Sequence, residues 1–248
     1  EHVGSPTSYS ASIQEYCDLL EKEIHDFVII TEMLGAARII GSRRLFSEFR
    51  RQVTFRYYYS NNNQLLKFHE GYLRGIVGET RSLMLRDLAK DRLNPKGDGL
   101  RMIKNGLFAA KTIFHLRQVN AWAMIEALKN QDKRRRPYYE QLEAPLTFLE
   151  VFRYMYQLLI AQEEEIYLEE PYTFENLSAV AEAMGYRPIG AAKATDFLLT
   201  DYYKHVNQAK ETIQMLLPSI VGHLSTITTF GKILHHKKVT EEGEKRLG

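Results

Sequence analysis

The sequence is poor in the features that usually announce a function. It holds a single cysteine, Cys17, among 248 residues. One thiol cannot staple a fold, and its isolation points to a reducing compartment. No apolar run approaches the roughly 20 residues of a membrane span. Residues 1–10 lack the basic start and apolar stretch of a secretory signal. Charge of one sign is missing too: 33 lysines and arginines face 31 aspartates and glutamates, a formal net of +2. Bulk charge therefore gives no argument for nucleic acid or for an anionic bilayer, and any basic surface has to be local. The expectation is a cytoplasmic protein with neither a membrane nor a nucleic acid among its partners.

Strand patterns are also scarce. The best candidate, Val53 to Tyr59 with its aromatic cluster, continues a helical stripe. What the chain does have is helical spacing along nearly its whole length. Ile13, Tyr16, Leu20, Ile24 and Phe27 recur at three and four, and Ser12 with Glu15 fits a capping box before them. Gly41 interrupts, and Ser42 can cap a second helix with Leu45, Phe46, Phe49 and Val53 inward. Asn94 to Gly99, with two glycines and a proline, reads as the clearest loop. Thr173 reads as the cap of a short helix that Gly185 stops, with Pro188 beyond it. Pro218 is expected to kink or end the last long stripe, Phe197 to Leu216. The fold class is all-α, a helical bundle of about seven or eight helices. Residues 1–240 read as a single helical domain and 241–248 as a frayed polar tail.

Catalytic constellations are incomplete. Gly41-Ser42 could begin a nucleotidyl-transfer site, but no paired carboxylates follow, so a helix cap accounts for it. His25-Asp26 has no partner dipeptide and reads as a solvated helix face. His223, His235 and His236 match no common zinc spacing. Cys17 lies on an apolar stripe and reads as a core residue. Tyr202 and His205, three residues apart on one helical face, read as structural. The basic run 133–136 could meet an anionic partner or be a solvated loop. The sharper candidate is Gly97-Asp98-Gly99, which opens a helix. Its first N–H groups can bind an anion, and Arg101 and Lys104 stand in the first turn to assist. The competing reading is a plain turn in which Asp98 caps the helix with its own carboxylate. Gly97, Gly99, Arg101 and Lys104 are thus the candidate phosphate-binding residues, with no catalytic residue and no metal ligand.

Several stretches resemble one family, the helical domain of the PII uridylyltransferases and glutamine synthetase adenylyltransferases. Phe174-Glu175-Asn176-Leu177, Val180-Ala181 and Met184-Gly185-Tyr186 match a helix ending in Gly-Tyr. Asp196-Phe197-Leu198 and Asp201-Tyr202-Tyr203-Lys204-His205 match the helix that follows. Lys96-Gly97-Asp98-Gly99-Leu100-Arg101 is similar to the family's Gly-x-Gly-Gly-Leu-Arg-Asp, with Asp98 in place of a glycine and Met102 in place of the acid. Glu32-Met33-Leu34, Ala37-Arg38, Gly41 and Leu45-Phe46 add a further stretch. The set covers most of residues 30–215 in the family's order.

The resemblance implies a helical companion domain that presents a protein substrate in nitrogen-linked signal transduction. Its partners would be the catalytic nucleotidyltransferase domain of the same protein and a PII-like protein substrate. Magnesium and nucleotide would belong to that catalytic domain, whose Gly-Ser turn and metal-binding carboxylates this chain does not contain, so no cofactor is expected here. The alternative is a non-catalytic helical interaction or regulatory domain derived from that family, which the change at Met102 favours.

Overall fold

The computed structural model describes residues 12–22, 27–59, 65–169 and 173–244, with side chains through residue 229 apart from that of residue 22. The order is α1 (Ile13–Lys22), α2 (Phe27–Gly35), α3 (Arg43–Phe49), α4 (Arg56–Tyr58), α5 (Leu66–Leu85), β1 (Arg92–Leu93), α6 (Arg101–Ile113), α7 (Ala121–Gln131), α8 (Arg136–Gln141), α9 (Glu143–Leu159), β2 (Ile166–Tyr167), α10 (Thr173–Ala183) and α11 (Ala194–Glu244). Two π-helical turns, Arg50–Phe55 and Lys96–Leu100, lead into α4 and α6. The protein is all-α, and among the described residues no helix is long and apolar enough to cross a membrane.

Local signals shape the helix ends. At α1 the Ser12 N–H donates to Glu15 Oε2 at 2.6 Å and the Glu15 N–H to Ser12 Oγ at 3.2 Å. These reciprocal bonds satisfy donors that a first turn otherwise leaves free. Ser42 Oγ accepts from the Leu45 N–H at 3.3 Å at the start of α3. After α10, Gly185 adopts φ +94°, and the Tyr186 N–H reaches back to Ala181 O at 2.9 Å. A side chain other than glycine is strained at that φ.

The expected bundle of helices comprises eleven α segments among the described residues, the additional ones being short pieces such as α4 and α8 with too few apolar positions to show as separate stripes. Three expectations need correction. Asn94 to Gly99 is not an open loop, since its second half is a π-helical turn. Thr173 begins α10 with its hydroxyl donating to Tyr167 O at 2.8 Å, so it holds the preceding strand rather than capping the helix. Pro218 does not end the last helix, and α11 runs 51 residues through it. The proline removes one N–H, and Leu216, Leu217 and Ile220 around it are buried. The tail's backbone is helical to Glu244, and 245–248 lie outside the described residues.

Contacts gather the chain into two compact units, with no linker in the sequence to mark the division. The first comprises residues 1–78, 108–120 and 218–248, and the second 79–107 and 121–217. In the first, Val53, Tyr57, Tyr58, Tyr72, Leu73 and Ile76 are buried. Tyr72 and Thr31 share a hydroxyl hydrogen bond at 2.9 Å, and Cys17 is buried with Sγ 3.8 Å from Gln52 O. In the second, Leu100, Ile103 and Leu107 of the α6 run, Leu149 and Phe152 of α9, and Val206 and Ile213 of α11 are all buried. The two-residue strands pair antiparallel, Arg92 with Tyr167 and Leu93 with Ile166.

Candidate functional site

The predicted phosphate-binding residues lie in the second unit, at the start of the α6 run. Their polar groups are taken up within the protein. The Gly97 N–H donates to Asn94 Oδ1 at 2.6 Å, and the Asp98 N–H to Asn94 O at 2.7 Å. Asp98 Oδ2 accepts from the Asn94 N–H at 3.0 Å and from the Tyr202 hydroxyl at 2.5 Å. Asp98 therefore does not cap the helix that follows it. Its carboxylate turns back onto Asn94 and across to α11.

Gly99 has a packing role. A Cβ there would collide with Leu149 Cδ1, so the absent side chain lets α9 approach the turn. Arg101 Nη1 stands 3.6 Å from Glu79 Oε1 of α5, whose second oxygen accepts from Asn105 at 2.7 Å. Lys104 Nζ lies 2.7 Å from Glu150 Oε1 of α9, and Glu150 is buried. The two cations thus face two carboxylates on two different helices.

A second layer of charge braces the same place. β1–β2 pairing sets Asn94 beside Glu165, which accepts from Asn94 Nδ2 at 3.2 Å and from Arg92 at 2.9 Å. Glu164 meets Arg153 at 2.7 Å and Lys96 at 3.3 Å. The Arg153 hydrogen bond holds the Glu164 carboxyl below its usual range. Burial, then the neighbouring Asp98 charge, pushes the Tyr202 phenol well above its ordinary value, so it remains a neutral donor. The arrangement is a polar clasp of Asn94, Asp98, Tyr202 and Glu165 around the entry to α6. What it can do chemically is fix that entry.

The sequence reading missed Asn94, Glu79, Glu150 and Glu165. Glu150 was the most legible of them, a carboxylate within the apolar row Leu146, Leu149 and Phe152. A charge in such a row has to meet a cation, although spacing does not say which one.

The other residues singled out are dispersed. His205 stacks on Phe148, with ring centroids 4.6 Å apart, and its Nδ1 is buried without a hydrogen-bond partner. It lines an open groove of about 640 Å³ with Phe148, Val151, Met184 and Tyr186, and with Glu140 and Glu143, which pair with Arg136 and Lys129. Tyr186 donates to Asp201 Oδ2 at 2.7 Å. His223 lies by His69 in the first unit, with ring centroids 5.5 Å apart. His25, Asp26 and the side chains of His235 and His236 lie outside the described residues. Of the basic run, Arg135 pairs with Asp132 at 3.1 Å and Arg136 with Glu140 at 2.7 Å. Among the described residues no group of three or more histidines, cysteines or carboxylates is placed to hold a metal ion. No family model, no curated protein and no solved structure matches this chain.

Proposed function

We propose that the chain is a helical companion domain of the kind that accompanies PII-uridylyltransferase-like protein nucleotidyltransferases, and that it offers a protein-binding scaffold. One observation carries this reading. The turn that resembles the family's Gly-x-Gly-Gly-Leu-Arg-Asp is closed from within, with Asn94 on the Gly97 N–H, Tyr202 on Asp98, and carboxylates on Arg101 and Lys104. A phosphate entering there would have to displace all of these contacts, including the buried Glu150. The open groove beside His205, with Phe148, Val151 and Met184 in its walls, gives such a scaffold a surface that a protein segment can enter.

The same closure favours the related reading, a regulatory domain that keeps the family's helices without its chemistry. Binding separates the two. A companion domain binds a PII-type protein in calorimetric titration. A derived regulatory domain does not, and neither form shows amide shifts at Gly99 to Ile103 with millimolar magnesium nucleotide. Saturable shifts there, lost in Arg101→Ala, would overturn the scaffold reading in both forms. Label transferred from UTP or ATP to the PII-type protein above a no-enzyme control would do the same.

A further inference from the structure

The net charge of +2 conceals a local excess. Residues 38–56 contain six arginines, no lysine and a single acid, Glu48. Three of these arginines are occupied: Arg38 by Gly41 O at 3.2 Å, Arg51 by Glu48 at 3.2 Å and Arg56 by Glu21 at 3.4 Å. Arg50 meets no carboxylate among the described residues, and neither does Arg117 in the turn after α6. Both guanidiniums lie over one ring, that of Phe55, at 5.1 Å and 5.6 Å from its centroid.

We propose that Arg50 and Arg117, held on the Phe55 ring, form a binding site for a diphosphate-bearing anion. A ring face attracts each cation, but two like charges gathered at one ring repel, and an anion bound to both offsets that repulsion. The guanidinium fork matches phosphate oxygens two at a time, which a lysine cannot do. A diphosphate offers each guanidinium its own pair of oxygens and carries more charge than a single phosphate, whose oxygens the two would have to share.

The site is also pre-set. The Arg50 guanidinium lies over the Phe46 ring, at 6.0 Å from its centroid, as well as over that of Phe55. The turn carrying Arg117 is pinned at its neighbours. Leu116 O accepts from Lys111 Nζ and from the Tyr59 hydroxyl, each at 3.0 Å, and Gln118 O accepts from Lys111 as well. His115, at φ +54°, turns the chain there and stacks on Tyr59 with centroids 5.3 Å apart. Burial, and after it the Arg50 charge, brings the Lys111 ammonium down to about 8. Arg117 is exposed and Arg50 half-buried, so a ligand can reach both. The site belongs to the first unit, whereas the clasp at Asp98 belongs to the second, and it stands independently of the function proposed above.

Titration of the intact chain with inorganic pyrophosphate, followed by amide and arginine side-chain NMR, tests it. Saturable shifts are expected at Arg50, Phe55 and His115 to Gln118. Affinity should fall about tenfold or more in R50Q and in R117Q, with unchanged melting temperature, and stay constant in R134Q. Inorganic phosphate should bind more weakly than pyrophosphate. ADP distinguishes the sources: equal affinity means that the phosphates alone are read, and tighter binding means that an attached group is read too. The absence of saturable shifts at millimolar pyrophosphate overturns the site, as does binding that persists in the R50Q/R117Q double variant or shifts spread alike over all arginines.

Discussion

The Tyr202 hydroxyl donates to Asp98 Oδ2 at 2.5 Å and accepts from the Asn94 N–H at 3.0 Å, so one phenol on α11 closes both ends of the turn that opens α6. Tyr202 is fully buried, with its ring edge-on to Phe152 at 5.5 Å. Tyr202→Phe keeps that packing and removes only the hydroxyl. It leaves a half-buried carboxylate with one donor fewer, an expected loss of about 1–3 kcal/mol. Urea denaturation measures it, and an unchanged midpoint would show that the clasp contributes nothing to stability.

Gly99 carries a second prediction, because propensity and packing disagree there. Alanine in a helical turn gains up to about 1 kcal/mol over glycine. The added Cβ, however, strikes Leu149 Cδ1 in a fully buried row, and overpacking of that kind costs about 1–3 kcal/mol. Packing wins, so Gly99→Ala destabilises. Leu149→Ala in the same chain makes room, and the pair should be less harmful than the two single losses added together. Simple additivity in a double-mutant cycle would show that the collision is relieved elsewhere.

How much of this was legible follows from distance along the chain. The caps at Ser12 and Ser42 and the stop at Gly185 are contacts within three to five residues, and the sequence carries them openly. The all-α class follows from a periodicity repeated in every long segment. The β1–β2 pair was hidden because each strand has two residues, too few for alternation to show. Arg101 and Lys104 looked like anion ligands because their own segment holds no acid near them but Asp98. Glu79 and Glu150 reach them from α5 and α9, a tertiary fact. Pro218 stands inside α11 with Leu216, Leu217 and Ile220 buried beside it, a burial that the local rule for proline does not weigh.

Lys104 should matter more than its neighbour Lys96. Lys104 faces Glu150, a carboxylate that is only 5% exposed and whose other oxygen lies 3.9 Å from Arg153 with no hydrogen bond. Lys96 faces Glu164, which Arg153 already holds at 2.7 Å. Lys104→Met strands a buried charge. Solvent reaches the lysine end of the pair, so the loss is set at about 1–2 kcal/mol, below that of a fully buried pair. Lys96→Met removes a surface contact worth about 0–1 kcal/mol. Equal losses in thermal denaturation would mean that Glu150 is solvated when its lysine is gone.

The last prediction concerns acid. His69 is buried, and its Nδ1 lies 3.1 Å from the Tyr58 carbonyl, which can only accept, so Nδ1 carries the hydrogen. Nε2 is then the bare nitrogen, buried and without a partner. A second proton would have to sit there, beside His223 at 5.5 Å between ring centroids and in the field of His115. Burial first, then those two histidines, brings His69 down to about 4 from an ordinary value of 6.5. The sign follows from which state takes the proton. Above about 6.5 the ring is neutral folded or unfolded, and stability is full. Below it the unfolded chain binds the proton and the folded chain does not, so stability falls until the folded value is reached. One such group accounts for a loss of up to about 3 kcal/mol across that window. His115 and His223 are lowered by burial as well and act in the same direction. Denaturation midpoints measured between about pH 7.5 and 4.5 should therefore fall steeply. His69→Gln, which can still donate to the Tyr58 carbonyl, should flatten the slope by up to one proton, about 1.4 kcal/mol per pH unit. An identical slope in the variant would place the acid sensitivity on groups other than His69.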